Sequence, residues 1–66
     1  MSTPEPQGVG AVAVDAEGDV WVRHPDGGWF TKIAPGRDFA WEEVNWYGPL
    51  TVLTHGVHPD GTPAAP

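Results

Sequence analysis

The chain contains no cysteine. That excludes a disulfide scaffold, thiol redox chemistry and any cysteine-ligated zinc or iron–sulfur centre. Domains of this size often depend on such staples, so burial of apolar surface has to hold the fold, with a partner subunit as the other source of buried area. Basic residues are also scarce: three Lys and Arg stand against nine Asp and Glu, a net charge of -6. Direct nucleic-acid binding and docking on an anionic membrane both rely on clustered cations, and this composition argues against them. An acidic surface suits a basic protein partner or imitation of nucleic acid, and at its plainest it keeps the protein soluble. No apolar run approaches the roughly 20 residues of a membrane span. The N-terminal MSTPEPQG lacks the basic and apolar regions of a secretory signal, so a cytoplasmic location is the expectation.

Nucleophiles are few. The one serine is Ser2, and among the threonines only Thr54 adjoins a histidine, His55. No glycine-rich phosphate loop is present. Glu42 and Glu43 are neighbours on an expected helix and point about 100° apart, which rules them out as a facing acid and base pair. The chain is therefore expected not to be an enzyme and to need no cofactor.

What the 66 residues do contain is turn chemistry and large rings: nine glycines, eight prolines, four tryptophans, two phenylalanines and one tyrosine. Each ring can bury about 150 to 250 Å², so core is the first assignment for most of them. Residues 1–8 and 56–66 are rich in Pro, Gly and small residues and are expected as disordered tails around a single domain at 9–55. Inside it VGAVAV (Val9 to Val14), VWVRH (Val20 to His24) and WFTKIA (Trp29 to Ala34) read as strands, separated by turns at DAEGD and PDGG. Alternation puts Val20 and Val22 on one side and Trp21 and Arg23 on the other; Trp29, Thr31 and Ile33 oppose Phe30 and Lys32.

After the PGRD loop, Phe39 to Tyr47 is expected as a helix with Asp38 as its N-cap, Gly48 in the left-handed stop position and Pro49 preventing continuation. Spacing places Ala40, Val44 and Tyr47 inward beside Trp41, Glu42 and Glu43 on the surface, and Phe39 and Trp46 at the edges, with Trp46 partly exposed. Leu50 to His55 closes the chain as a fourth strand. The fold class is α+β: an antiparallel β-meander of three to four strands with one short helix, in the order β-β-β-α-β.

Two motifs invite chemistry. HPDG occurs at His24 to Gly27 and again at His58 to Gly61. Its histidines and aspartates, His24, Asp26, His58 and Asp60, with His55 nearby, are of the types that ligate a divalent metal. Pro-Asp-Gly is equally a strong turn sequence, and that reading is preferred, with no metal site expected. DAEGD has the acidic look of a calcium loop but lacks the alternating ligands and terminal Glu, and fits a hairpin turn better.

Taken in order, GDVW (Gly18 to Trp21), DGGWF (Asp26 to Phe30) and WEEVNWYGPLTVL (Trp41 to Leu53) resemble a pattern in small acidic proteins of actinobacteria and of the bacteriophages that infect them. In that pattern a GDVW hairpin, a DGWW-like turn and a WEEL…YGP helix end recur. The matching positions are Gly18, Val20, Trp21, Gly27, Trp29, Trp41, Tyr47, Gly48 and Pro49, while Val44 and Trp46 depart from the usual leucine-bearing helix. The resemblance implies a small accessory factor that acts by binding a host or partner protein, and it transfers no catalytic residue.

The function expected is thus a non-enzymatic protein-interaction module, a homodimer being one form of it. Candidates for partner contact are Trp46, Phe39 and Trp21 among the rings and Glu42 and Glu43 among the carboxylates. The alternatives are a metal-binding module using His24, His55 and His58, and an acidic nucleic-acid mimic that blocks a DNA-binding protein.

Overall fold

The computed structural model describes residues 3–64. Three turns of one kind recur along the chain. In each, the first residue donates its N–H to the carbonyl four residues on, and a glycine three residues on donates back to it. Asp15 does this with Asp19 and Gly18 (3.0 and 3.0 Å), His24 with Gly28 and Gly27 (2.8 and 2.9 Å), and His58 with Thr62 and Gly61 (2.8 and 2.9 Å). The three glycines have φ of 87°, 89° and 89°, a region open to glycine because it has no Cβ. This is the three-residue hairpin loop that ends in a glycine bulge.

The first two turns join strands β1 (Val12–Val14), β2 (Val20–Arg23) and β3 (Trp29–Phe30) into an antiparallel meander. A short helix α1 (Trp41–Asn45) follows, and β4 (Thr51–Thr54) returns beside β1, giving the spatial order β3-β2-β1-β4. The protein is therefore a small α+β domain with a four-stranded antiparallel sheet and one helix. β3 is shorter than the expected Trp29 to Ala34, because the chain turns at Thr31 (Ala34 N–H to Thr31 O, 3.1 Å) and brings Phe39 back. Phe39 then exchanges two backbone hydrogen bonds with Trp29, at 2.8 and 2.9 Å.

The covered face of the sheet combines small and large residues. Ala13 lies directly opposite Trp21, and Ala11, Ala13, Trp21 and Trp29 pack with Phe39, Val44 and Leu50 as one core. The alanines leave the space that the indoles fill. Trp21 meets Phe39 edge to face at 5.0 Å, and Trp29 meets Trp41 at 4.6 Å. Trp21 and Phe39 were expected to contact a partner, but they are 1% and 5% exposed and hold the core instead. The opposite face carries Val12, Val14, Val20, Val22 and Phe30, none of them buried.

The helix is shorter than expected and starts differently. Its N-cap is Ala40, whose N–H donates to Glu43 Oε1 at 3.0 Å, so the reciprocal half of a capping box replaces the expected Asp38 cap. Asp38 turns instead toward His24. Gly48 is absent from the glycines of positive φ, so it does not take the left-handed stop position, and its peptide bond to Pro49 is cis. Val44 faces inward as expected, whereas Ala40 is exposed and Tyr47 is 41% exposed, lying against Trp21 at 5.5 Å. A five-residue helix turns too little for its flanking positions to follow the helical face.

Both ends depart from the frayed tails expected at 1–8 and 56–66. Thr3 to Gly8 cross the core as a strap. The indole N–H groups of buried Trp29 and half-buried Trp41 find acceptors in the strap: Trp29 Nε1 donates to Glu5 Oε2 at 2.9 Å and Trp41 Nε1 to Thr3 O at 2.7 Å. Pro6 is fully buried, and Gly8 N–H donates to His55 O at 3.0 Å. At the other end Val57 bridges Val9 on one side and Pro63 on the other, and Ala64 is buried. The expectation for residues 1, 2, 65 and 66 lies outside the described residues.

Candidate functional site

The exposed rings and carboxylates gather at the helix. Trp46 follows the last residue of α1, and continued turns bring Tyr47 N–H to Val44 O and Gly48 N–H to Asn45 O. These hold the Trp46 backbone while its side chain remains outside the core, 70% exposed. Between α1 and the strap lies an open groove of about 630 Å³, with Trp41, Trp46 and Pro4 as apolar walls and Glu5 and Glu42 as its carboxylates. The groove floor is fixed by Asn45, whose Oδ1 accepts Thr3 N–H at 3.0 Å and whose Nδ2 donates to Trp41 O at 3.2 Å.

The two glutamates chosen from the sequence have different surroundings. Glu42 is exposed at the groove. Glu43 faces away from it, accepting from Ala40 N–H and from Arg37 Nη2 at 3.0 Å. Arg37 also lies over the Phe39 ring, 4.2 Å from its centroid. Arg23 donates to Gln7 O at 2.6 Å and stands 3.8 Å from Glu5. Both arginines thus pair with glutamates of the same chain, and the net charge is -6.

A second groove, about 400 Å³, lies on the uncovered side of the β2–β3 hairpin, among Val20, Val22, Phe30 and Ile33 with Asp19 and Lys32 at its margin. Val20 and Ile33 are 47% and 59% exposed there.

The histidines separate. His24 Nδ1 lies 3.7 Å from Asp38 Oδ1, and a ligating atom from each of His24, Asp26 and Asp38 falls within 4.8 Å of the others. Among the described residues His55 and His58 join no such group, so the set His24, His55 and His58 does not converge. His55 Nδ1 is buried without a partner, and His58 is exposed at the third turn, where Asp60 accepts from Thr62 N–H and Oγ1 at 3.0 and 2.6 Å. These two bonds hold the Asp60 carboxyl below its ordinary pKa.

Asp15 is a buried carboxylate that the sequence marks only as a turn residue. Its Oδ2 accepts Trp21 Nε1 at 3.0 Å, and Oδ1 accepts the N–H groups of Glu17 and Asp19 at 2.9 Å each. Burial opposes its charge, but the bonds from Trp21 and the backbone outweigh that and lower its pKa. Asp15 thereby couples the first turn to the core, and it is structural.

No family model, curated protein or solved structure matches the chain. The strap residues of the Trp46 groove, Thr3, Pro4 and Glu5, and the Asp38 carboxylate near His24 were not selected from the sequence. Their partners lie from 14 to 42 positions away in the chain, as Thr3 to Asn45 illustrates. Spacing rules reach only a few residues along one element.

Proposed function

We propose that the chain is a non-enzymatic protein-interaction module that holds a basic, extended segment of a partner protein in the groove between α1 and the strap. The observation that carries this reading is Trp46, 70% exposed beside the Glu42 carboxylate. Tryptophan is enriched among the residues that dominate binding energy at protein interfaces. A groove walled by Trp41, Trp46 and Pro4 suits an extended or proline-bearing chain, as aromatic-lined grooves do elsewhere. Glu42, together with the net charge of -6, favours Lys or Arg in that chain and repels acidic competitors. The resemblance to small acidic proteins of actinobacteria and their phages agrees with a host protein as the source of the segment.

The test is selection from a displayed random-peptide library on immobilised protein, followed by affinity measurement of the selected peptides. Basic sequences are expected to be enriched, and Trp46→Ala is expected to weaken them about 30-fold, the equivalent of about 2 kcal/mol, at an unchanged melting temperature. Enrichment of acidic sequences, or equal binding by the Trp46→Ala variant, would refute the reading.

A further inference from the structure

The two HPDG copies have the same backbone and different surroundings, and that difference separates a ligand set from a plain turn. In both, His donates to the carbonyl four residues on and a glycine at φ 89° closes the loop. In both, the Asp Oδ1 accepts the N–H two residues later, from Gly28 at 2.8 Å and from Thr62 at 3.0 Å. In the second copy Thr62 Oγ1 also donates to that same oxygen of Asp60. In the first copy Gly28 has no side chain to do so, and Asp38 approaches in its place: a Cβ on Gly28 would stand 3.2 Å from Asp38 Cβ and Cγ and 3.2 Å from Asp26 Oδ1.

We propose that His24, Asp26 and Asp38 form a binding site for a divalent transition-metal ion of the zinc class. One imidazole nitrogen and two carboxylate oxygens converge to within 4.8 Å, from a closed turn and from the loop segment that backbone bonds between Phe39 and Trp29 tie to β3. The 3.7 Å between His24 Nδ1 and Asp38 Oδ1 is too long for a hydrogen bond. It lies near the roughly 3.4 Å that separates two ligands about a tetrahedral ion with bonds of about 2.0 to 2.2 Å. The His24 ring rests against Phe30 at 4.4 Å, which limits its rotation. Asp26 keeps its second oxygen for a ligand while Oδ1 holds the turn. Among the described residues the ion pairs of Arg23 and Arg37 go to Glu5 and Glu43, and the basic group within 4.0 Å of Asp38 is His24.

The donor set selects the ion. Mixed nitrogen and oxygen ligands suit Zn²⁺, Co²⁺ or Mn²⁺, whereas Mg²⁺ requires near-octahedral oxygen coordination. Three protein ligands leave at least one position for water. The second HPDG copy is a control built into the same molecule, since it shares the turn and lacks the third ligand.

The experiment is Zn²⁺ titration of the tag-free chain, followed by the histidine side-chain NMR resonances, calorimetry and thermal unfolding. One ion per chain is expected to move the His24 ring resonances to saturation and raise the melting temperature, leaving the His58 ring unmoved. Asp38→Asn, nearly the same shape at an exposed position, is expected to weaken binding at least tenfold, and His24→Gln likewise; Asp60→Asn is expected to leave it unchanged. An unmoved His24, an equal response from His58, or full affinity in the Asp38→Asn variant would each overturn the proposal.

Discussion

Trp21 Nε1 donates to the buried carboxylate of Asp15 at 3.0 Å, so one residue closes the first turn and satisfies a buried polar hydrogen of the core. Replacing it by Asp15→Ala removes three hydrogen bonds and leaves the indole N–H unpaired. The expected loss is about 1 to 3 kcal/mol, read from urea unfolding followed by tryptophan fluorescence.

The same carboxylate sets an acid limit. Because its pKa in the folded protein is below the unfolded value, the stability it contributes is complete above the unfolded carboxylate pKa of about 3.9 and is lost as pH falls through the lower folded value. Urea midpoints measured from pH 6 down to pH 2.5 are expected to fall below about pH 4. Asp15→Asn is expected to flatten that fall.

Gly8 and Gly56 cross with their backbones in contact. A Cβ on Gly8 would strike His55 O, and one on Gly56 would lie 2.5 Å from Val9 O at a φ of 75°. Either Gly→Ala change therefore forces the C-terminal hairpin away from Val9, with an expected cost of about 1 to 3 kcal/mol and faster hydrogen exchange at Val9 and Val57. Gly10→Ala meets no neighbour within 4 Å and carries only the strain of φ 77°, so it is expected to cost less.

The tryptophans are expected to divide by substitution. Trp29→Ala removes a fully buried side chain and is expected to cost about 3 to 5 kcal/mol, enough to unfold a domain of this size. Trp46→Ala is expected to change stability by no more than about 0.5 kcal/mol. Thermal unfolding of the two variants side by side checks both.

The strap is expected to behave as part of the domain. Glu5→Ala leaves Trp29 Nε1 without its acceptor at 2.9 Å and is expected to cost about 1 kcal/mol. Removing residues 1–7 also empties the Pro6 site and takes away the Trp41 acceptor, Thr3 O, so a larger loss and a red-shifted tryptophan emission are expected.

Much of the chain was legible locally. Glycine three residues into DAEGD and HPDG specifies each hairpin, because a positive φ there is a property of one residue and its neighbours. The strand order of the meander, the presence of a helix near residue 41, the inward Val44 and the exposed Trp46 followed from alternation and spacing. The faces themselves were not legible. Alternation separates Trp21 from Val20 and Val22, but the indole goes inward because Ala13 opposite it and Phe39 beyond it make the matching space.

The strap and the two grooves were decided by tertiary structure alone. Prolines in Thr3 to Gly8 are as compatible with an extended packed segment as with a frayed end, and the choice falls to the indole N–H groups of Trp29 and Trp41, which find their acceptors there. Asp38 is likewise a suitable helix cap by local rules, yet Ala40 begins the helix and Asp38 meets His24. The sequence by itself determined composition, charge and the two glycine turns of the meander, because those depend on single residues and their neighbours. Only the tertiary structure decided which rings are core, what covers them and which carboxylates converge, because those depend on groups far apart in the chain competing for the same buried space.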